Sequence, residues 1–585
     1  MSNWFDINHG KSNKPVIIIW FLFIVFALMI ISKLLWLQVV EKKDLTQKAH
    51  RMRQDKAVSY VMRGEILDRN GVKLVANKTV FDVYVDPRCF EEDQTPHSIA
   101  SMLASILGKS VSDLEKELAD SKYTVIIAKN VEKETVEQLR KLKLKSLDIR
   151  KKSARVYPQG TLAAHILGYV NVEADISAGI EKTAQDDLKK LPEYEYIETT
   201  PDGNVIYDFN TNPAIASKPL KGEDITLTID SAVQHIAEVE LNKMIKETKA
   251  DKGSVVVMNP KNGEILAFVV LPSYNPPSYK KLPPQLIKNW ALSDVYSPGS
   301  VFKMLTVSSA MELGYIHPNS LISDTGKITI QGSTIKNYDY NRHPNPGMIN
   351  LEYLFEHSSN VGSVNIALMM KPEEFYNMLK KFGIGSKTNV DLPGESPGLL
   401  PHWTRWQKLD QANIGFGYSV NVTPIQLASA VSAIANNGVR VTPHIIKYSS
   451  QEEYDKHVIS TQVLSPQTAQ AITSLLTQSI AKSKAVAGKI PNYTVAGKTG
   501  TSNRPNANGI GYNRHEVYTT FAGFFPASDP EILVVVFVDN PKSGVDWGST
   551  IAGPVFNEIA VQISRIMDIK PDKKEPEEIE SERNS

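Results

Sequence analysis

The spacing of hydrophobic positions changes character along this chain, and each change marks a different kind of element. Residues 15–32 are 18 positions without a charge, and the apolar pattern resumes after Lys33 as Leu34-Leu35-Trp36-Leu37. That length spans a bilayer with Lys33 near one interface. No small-x-small cleavage site follows, so the stretch reads as an uncleaved anchor rather than a signal peptide. Residues 41–57 are charged with helical spacing, as in a membrane-proximal stalk. Mixed patterning follows to about 220. Asn70-Gly71 is a turn signal between short apolar strands. Residues 97–145 carry helical patterning rich in Lys and Glu, which predicts solvated helices.

From about 224 the chain alternates long helices with strongly apolar strands. Residues 225–229 predict a strand, and Asp230 N-caps a helix running to about Lys246. Residues 253–258 and 264–270 predict two strands joined by Asn259-Pro260-Lys261-Asn262-Gly263. Residues 352–437 are mainly helical, interrupted by a Pro- and Gly-rich loop at 391–401. Thr423-Pro424 starts a helix that Asn437-Gly438 ends. Three strands at 493–498, 517–524 and 532–538 and a helix at 552–567 complete the pattern. Residues from 570 onward are charged and predict disorder.

Candidate chemistry centres on Tyr296-Ser297-Pro298-Gly299-Ser300-Val301-Phe302-Lys303. Pro298-Gly299 makes a turn, and an apolar helical run follows to Gly314. Ser300 then sits in the first helical turn, with Lys303 one turn on and on the same face. A desolvated lysine can take the proton that a serine must lose to become a nucleophile. The S-x-x-K pattern is weak alone, since it also starts at Ser278, Ser333 and Ser479. Prolines flank the first of these copies, a turn holds the second, and the third lies late in a helix. Two further pieces strengthen Ser300. Ser358-Ser359-Asn360 falls in a short corner between two helices, where a hydroxyl and an amide can relay a proton and hold a substrate amide. Lys498-Thr499-Gly500-Thr501 follows strand-like residues, and supplies a cation and hydroxyls for a carboxylate. Gly500, without a Cβ, would let a substrate backbone lie along the strand.

Composition changes this little. Lys+Arg number 65 and Asp+Glu 64, so no charge excess argues for nucleic acid. One cysteine, Cys89, excludes an intramolecular disulfide. Lys11 and Lys14 precede the apolar span, while Lys42, Lys43, Lys48, Arg51, Arg53 and Lys56 follow it. A plain positive-inside count would leave the C-terminal side in the cytoplasm, although long domains translocate regardless of such charge. His165 reads as a satisfied structural histidine rather than a ligand.

With the three pieces in this order, the chain resembles the penicilloyl-serine transferases, and among them the class B penicillin-binding proteins. The resemblance covers nearly the whole chain. The stretch opening Arg63-Gly64-Glu65, Arg155-Val156-Tyr157-Pro158 and Gly179-Ile180-Glu181 look like that class's N-terminal pedestal. Gly415-Phe416-Gly417-Tyr418 and Thr423-Pro424-Ile425-Gln426 look like its transpeptidase domain. Asn360 in place of Asp, and Asn171-Val172 ahead of Gly179, resemble the division-type branch. The chain ends soon after the transpeptidase-like region, without the C-terminal repeat modules of some relatives.

The resemblance implies an α+β fold: a short cytoplasmic tail (1–14), a transmembrane anchor (15–37), a stalk (38–57) and a dimerisation-like pedestal (58–222). A transpeptidase domain (223–568), with an antiparallel sheet, flanking helices and an all-helical subdomain, and a disordered tail (569–585) complete it. It implies a Ser300 nucleophile with Lys303 as its base. Ser358 and Lys498 would pass a proton to the leaving amine. Thr499 and Thr501 would bind the substrate carboxylate, and Asn360 the acyl-side amide. Backbone N–H groups of Ser300 and Thr501 would hold the oxyanion. Peptidoglycan stem peptides, β-lactams, the membrane and a polytopic glycosyltransferase are the implied partners, with no metal or organic cofactor. The expected place is the cell membrane, with the N-terminus cytoplasmic and the bulk extracytoplasmic. Competing readings are an elongation-type enzyme, a β-lactam hydrolase or carboxypeptidase, and an inactive division scaffold.

Overall fold

The computed structural model describes residues 14–58, 61–171, 176–190, 194–198, 220–506 and 511–573. Helix Lys14–Leu35 continues into a π-helical turn, Trp36–Val40. The span with the length and composition to cross a membrane is therefore Val16–Val40, the only such helix among the described residues. It passes the expected boundary at Leu37 because Val39 and Val40 extend the apolar run. Helix Lys42–Arg53 follows, but the predicted helical stalk gives way to strand Gln54–Val58. That strand pairs antiparallel with Tyr194–Glu198. Val172, one of the residues on which the resemblance rests, and residues 574–585 of the expected tail lie outside the described residues.

The pedestal sheet is built around strand Lys73–Val85, which pairs with Ile66–Leu67, Val125–Val131 and Leu147–Val156. The purely helical expectation for 97–145 is corrected here. Helices Pro96–Leu107, Val111–Ala119 and Lys133–Lys141 are interrupted by strand Val125–Val131. Its Val-Ile-Ile run is short, and the surrounding Lys and Glu mask it in the sequence. Tertiary pairing with Lys73–Val85 decides its state. Ile127 is buried with Leu103, Leu114 and Leu139, so these helices are solvated on one face only.

Residues 162–171 and 176–188 belong to the core of the C-terminal domain as much as to the pedestal. Ile166, Leu167, Ile180 and Leu188 share one buried cluster with Ile229, Phe268 and Phe302. His165 lies 5% exposed with a ring nitrogen 2.9 Å from the Leu286 carbonyl. Burial lowers its pKa to about 4, which keeps it neutral.

The catalytic sheet has five antiparallel strands in the order Ile265–Leu271, Lys252–Met258, Ile532–Asp539, Tyr512–Phe525, Ala496–Pro505. Its inner strands read as unbroken apolar runs because both faces are covered. Val255 and Val257 face helices Ser231–Thr248 and Ala552–Ile566, whereas Val256 and Met258 face the cluster containing helix Lys303–Glu312. The expected caps are present. Asp230 accepts from the N–H groups of Ala232 and Val233. Thr423 and Gln426 form a capping box on helix Pro424–Ala435.

One strand boundary is corrected. The predicted 493–498 strand instead begins at Ala496 and runs to Pro505. Tyr493 donates its hydroxyl to the Ile569 carbonyl, and the Thr494 N–H donates to Asp572 at 2.6 Å. Those bonds tie residues 493–494 to the C-terminal segment. They also dock residues 569–573, which the sequence assigned to a disordered tail; Ile569 is buried.

Candidate active site

Ser300 lies in a single 3-10 turn, Gly299–Phe302, and the α-helix proper starts at Lys303. The sequence placed Ser300 in the first α-turn. The difference favours the pair, since side chains three residues apart eclipse in a 3-10 turn. Gly299 has φ +58°, and its N–H donates to the Gly417 carbonyl at 3.1 Å. A Cβ on Gly417 would sit 2.1 Å from the Gly299 oxygen, so this buttress admits only glycine. Val301 and Phe302 are fully buried behind the turn. Ser300 is half-buried, and its hydroxyl has no hydrogen-bond partner among the described residues.

Lys303 is fully buried. Its Nζ lies 2.5 Å from the Ser358 carbonyl, 2.7 Å from Asn360 Oδ1 and 3.1 Å from Ser358 Oγ. No carboxylate forms an ion pair with it among the described residues. Burial, and then the charge of Lys498, hold its pKa well below the usual lysine range, against the opposing pull of Asp324 and Asp339. A neutral amine has two N–H groups. In that form the Ser358 carbonyl and Asn360 Oδ1 take both, which leaves the lone pair for a hydroxyl proton.

The Ser358 corner separates helices Leu351–Glu356 and Asn360–Met369, as the sequence predicts, with Ser358 at φ +50°. Ser359 caps the second helix through the Gly362 N–H and donates to Asp324 at 2.6 Å. Asn337 Oδ1 accepts from the N–H groups of Asn360 and Val361, and its amide donates to Asp324 at 2.9 Å. Sequence reading missed both Asp324 and Asn337. Asp324-Thr325-Gly326 carries a turn signal, but nothing local marks Asn337 as a cap for a helix 23 residues on. Asn360 holds Lys303 with its oxygen and the Lys336 carbonyl with one N–H. Its second N–H remains for a ligand.

Ala496–Pro505 is the edge strand of the sheet, and the second lysine motif opens it rather than ending it. Lys498 is 5% exposed, and burial lowers its pKa to about 8. It likewise lacks a carboxylate partner among the described residues. The reason expected for Gly500 is corrected. A Cβ there would lie 2.7 Å from Val301 Cγ2 and 2.8 Å from the Pro298 oxygen, so the turn that carries Ser300 fills that space. Ser502 Oγ donates to the Ser297 carbonyl at 2.5 Å and fixes strand and turn together. Thr501 Oγ1 accepts from the Gly548 N–H at 2.9 Å, leaving its hydroxyl hydrogen free to donate. The Asn503 N–H reaches outward to the Tyr418 hydroxyl at 3.1 Å. Backbone groups alternate along a strand, so the N–H groups of Thr499 and Thr501 face the same open edge.

The structure thus brings Lys303, Ser358, Asn360 and the Lys498–Thr501 edge around the Ser300 turn. Two exposed rings, Tyr338 and Trp547, stand 6.1 Å apart on segments bonded to Asn360 and Thr501. The other S-x-x-K copies lack such surroundings: Ser278 lies in a 3-10 helix, Ser333 opens a hairpin strand, and Ser479 is bonded within its own helix. The assembled groups suit acyl transfer through serine: a hydroxyl without a partner, a buried amine with a lowered pKa one helical turn on, and edge N–H donors of the kind that hold an oxyanion.

Comparison with known proteins points the same way. Residues 253–560 match the family described as penicillin binding protein transpeptidase domain, and residues 58–227 match the penicillin-binding protein dimerisation domain. Stage V sporulation protein D of Bacillus subtilis is 31% identical, over 95% of this chain and 86% of that protein. Peptidoglycan D,D-transpeptidase FtsI of Escherichia coli K12 is 30% identical, over 93% of this chain and 90% of that protein. A peptidoglycan synthetase structure from Bifidobacterium adolescentis superposes with a TM-score of 0.68 at 25% identity, over 89% of this chain and 98% of that one. Penicillin binding protein 3 of Mycobacterium tuberculosis, at 24% identity and a TM-score of 0.65, shares the fold, over 88% of this chain and 98% of that one.

Proposed function

For a chain that belongs to the class B penicillin-binding proteins, we propose a peptidoglycan D,D-transpeptidase that works through a Ser300 acyl-enzyme. The observation that carries this reading is the Lys303 amine, fully buried, without a carboxylate partner among the described residues, and bonded to Ser358 and Asn360. Neutral Lys303 takes the Ser300 proton. Ser300 Oγ attacks the carbonyl of the penultimate D-Ala of a stem peptide. The N–H groups of Ser300 and Thr501 hold the oxyanion, each such donor being worth about 3 kcal/mol. As the tetrahedral adduct collapses, the proton passes through Ser358 and Lys498 to the departing D-Ala amine. Thr499 and Thr501 hold the leaving carboxylate. The free N–H of Asn360 holds the acyl-side amide. The amine of a second stem peptide then takes the acyl group and restores the Ser300 hydroxyl. β-Lactams acylate Ser300 as mimics of the same substrate.

The apolar Val16–Val40 helix anchors the chain, with the N-terminus cytoplasmic and the catalytic domain outside, where its substrate lies. We assign the enzyme to septal wall synthesis, on Asn360 and on the FtsI-type relatives. A polytopic glycosyltransferase is the partner expected for the anchor and pedestal.

Covalent labelling with a fluorescent penicillin, beside a Ser300→Ala variant, tests the mechanism. A lasting adduct on the unaltered chain alone is expected. Rapid penicillin turnover without an adduct would sink the transpeptidase reading in favour of a hydrolase. A folded chain that does not react at all would leave an inactive scaffold.

A further inference from the structure

Behind the second motif lies a cluster that the mechanism above does not use. Asp339, His343 and His357 each offer one ligand atom, and the three atoms lie within 4.8 Å of one another. His343 Nδ1 is 3.1 Å and His357 Nδ1 is 3.4 Å from the same oxygen, Asp339 Oδ2. We propose that these three side chains bind a divalent transition metal, zinc being the best match, and that the ion braces the corner carrying Ser358.

The spacing supports a metal. Zinc bonds of about 2.0–2.1 Å in a tetrahedron put neighbouring ligand atoms about 3.3 Å apart. The two observed separations bracket that value. One carboxylate oxygen and two imidazole nitrogens are also a donor set that zinc takes readily. The ligands are held in place. His357 stacks on Tyr353, with ring centroids 4.0 Å apart and planes 15° apart. The His343 N–H donates to the Asp339 carbonyl at 2.9 Å, which fixes the turn between those two ligands. The Asp339 side chain is 8% exposed, and those of His357 and His343 are 27% and 49% exposed. The site is thus closed behind the carboxylate and open on the imidazole side, where the ion enters and a water completes the fourth position.

Placement gives the ion a purpose. Asp339 and His343 belong to the turn just after Asn337, whose oxygen caps the helix beginning at Asn360. His357 immediately precedes Ser358. A metal joining the three would therefore clamp turn and corner together, in addition to the Asn337 cap. Asp339, His343 and His357 touch no reacting group and are positioning residues.

The test uses the full-length chain in detergent, stripped with a chelator and then dialysed against zinc or cobalt. Bound zinc is measured by atomic emission, and the thermal midpoint is recorded with and without metal. The variants are His343→Ala and His357→Ala, with His97→Ala in the pedestal as a control. The unaltered chain and the control should each retain one zinc and gain thermal stability from it. The two site variants should bind at least tenfold more weakly and gain none. Cobalt in the unaltered chain should give the intense visible bands of a four-coordinate ion. An unaltered chain that takes up no zinc, or equal uptake and equal thermal gain in both site variants, overturns the proposal. So does a pale six-coordinate cobalt spectrum. In either case Asp339 simply accepts two imidazole N–H groups. These readouts do not depend on transpeptidation, so they stand or fall separately from the proposed function. Penicillin acylation of the unaltered chain with and without zinc adds the consequence: loss of the ion should slow labelling, through a loosened Ser358.

Discussion

The pedestal and the catalytic domain both bury charged side chains, and they treat them in opposite ways. In the pedestal, Arg63 Nε and Arg155 Nε lie 2.5 and 2.6 Å from the two oxygens of Glu181, which is fully buried. Arg63 Nη2 also donates to the Glu181 carbonyl and Gln185, and Arg155 Nη1 to the Gly64 carbonyl and Asn77, while Arg155 Nη2 is buried without a partner among the described residues. In the catalytic domain, Lys303 and Lys498 are equally deep, and neither forms an ion pair among the described residues. A buried charge with a matched partner holds structure. A buried amine without one is pushed toward its neutral form, and a neutral amine can accept a proton. The second arrangement sacrifices stability for reactivity, and it belongs to the same site as Ser300, whose hydroxyl has no hydrogen-bond partner among the described residues.

The sharpest way to test the contrast is to remove the unpaired amine. Lys303→Met keeps the length and apolar stem of the side chain. Acylation by a fluorescent penicillin should fall by about 10²–10⁴-fold, the usual contribution of a general base. The urea midpoint should hold or rise, because a desolvated amine is replaced by apolar atoms. A variant that loses stability along with activity would break the comparison, and would make Lys303 a brace for the Ser358 corner.

Glu181→Gln is the converse. It leaves two buried guanidinium groups facing a neutral amide, and should cost about 3–5 kcal/mol in urea unfolding. Acylation per folded molecule should stay unchanged. If acylation falls in proportion instead, the pedestal ion cluster is coupled to the catalytic site.

The strong periodicities were legible from the sequence. The apolar span, the caps at Asp230 and Thr423, the paired strands around Asn259–Gly263 and the corner at Ser358 all rest on local signals, and the structure has each of them. What was lost depended on partners distant in sequence. Val125–Val131 is a strand because Lys73–Val85 pairs with it, and its neighbours hide it. Ala496–Pro505 contains Gly, Asn and Pro and extends only because Tyr512–Phe525 lies beside it. Asn337 and Asp324 support Asn360 across 23 and 36 positions, a relation no local pattern carries. Gly500 shows a subtler limit. The sequence marked the position as special, but the space that requires glycine belongs to Val301 and Pro298.

The smallest expected effect separates the two lysines from each other. Lys303 must be neutral to act as a base, so acylation should rise with pH through its lowered pKa. Lys498 should act as a cation and proton donor, and burial brings its pKa to about 8. Acylation should therefore fall above about pH 8, approaching tenfold per pH unit. Unfolding through this lysine does not explain such a fall. Its folded-state pKa is depressed from 10.5, so between about 8 and 10.5 the unfolded chain binds more protons and stability rises with pH. Lys498→Arg keeps the charge at every accessible pH, and should flatten the alkaline limb even where the bulkier guanidinium lowers the plateau. The measurement is the pH profile of acylation for both chains. An alkaline limb that persists unchanged in Lys498→Arg would assign that titration elsewhere, and would leave Lys303 as the only amine whose burial serves the chemistry.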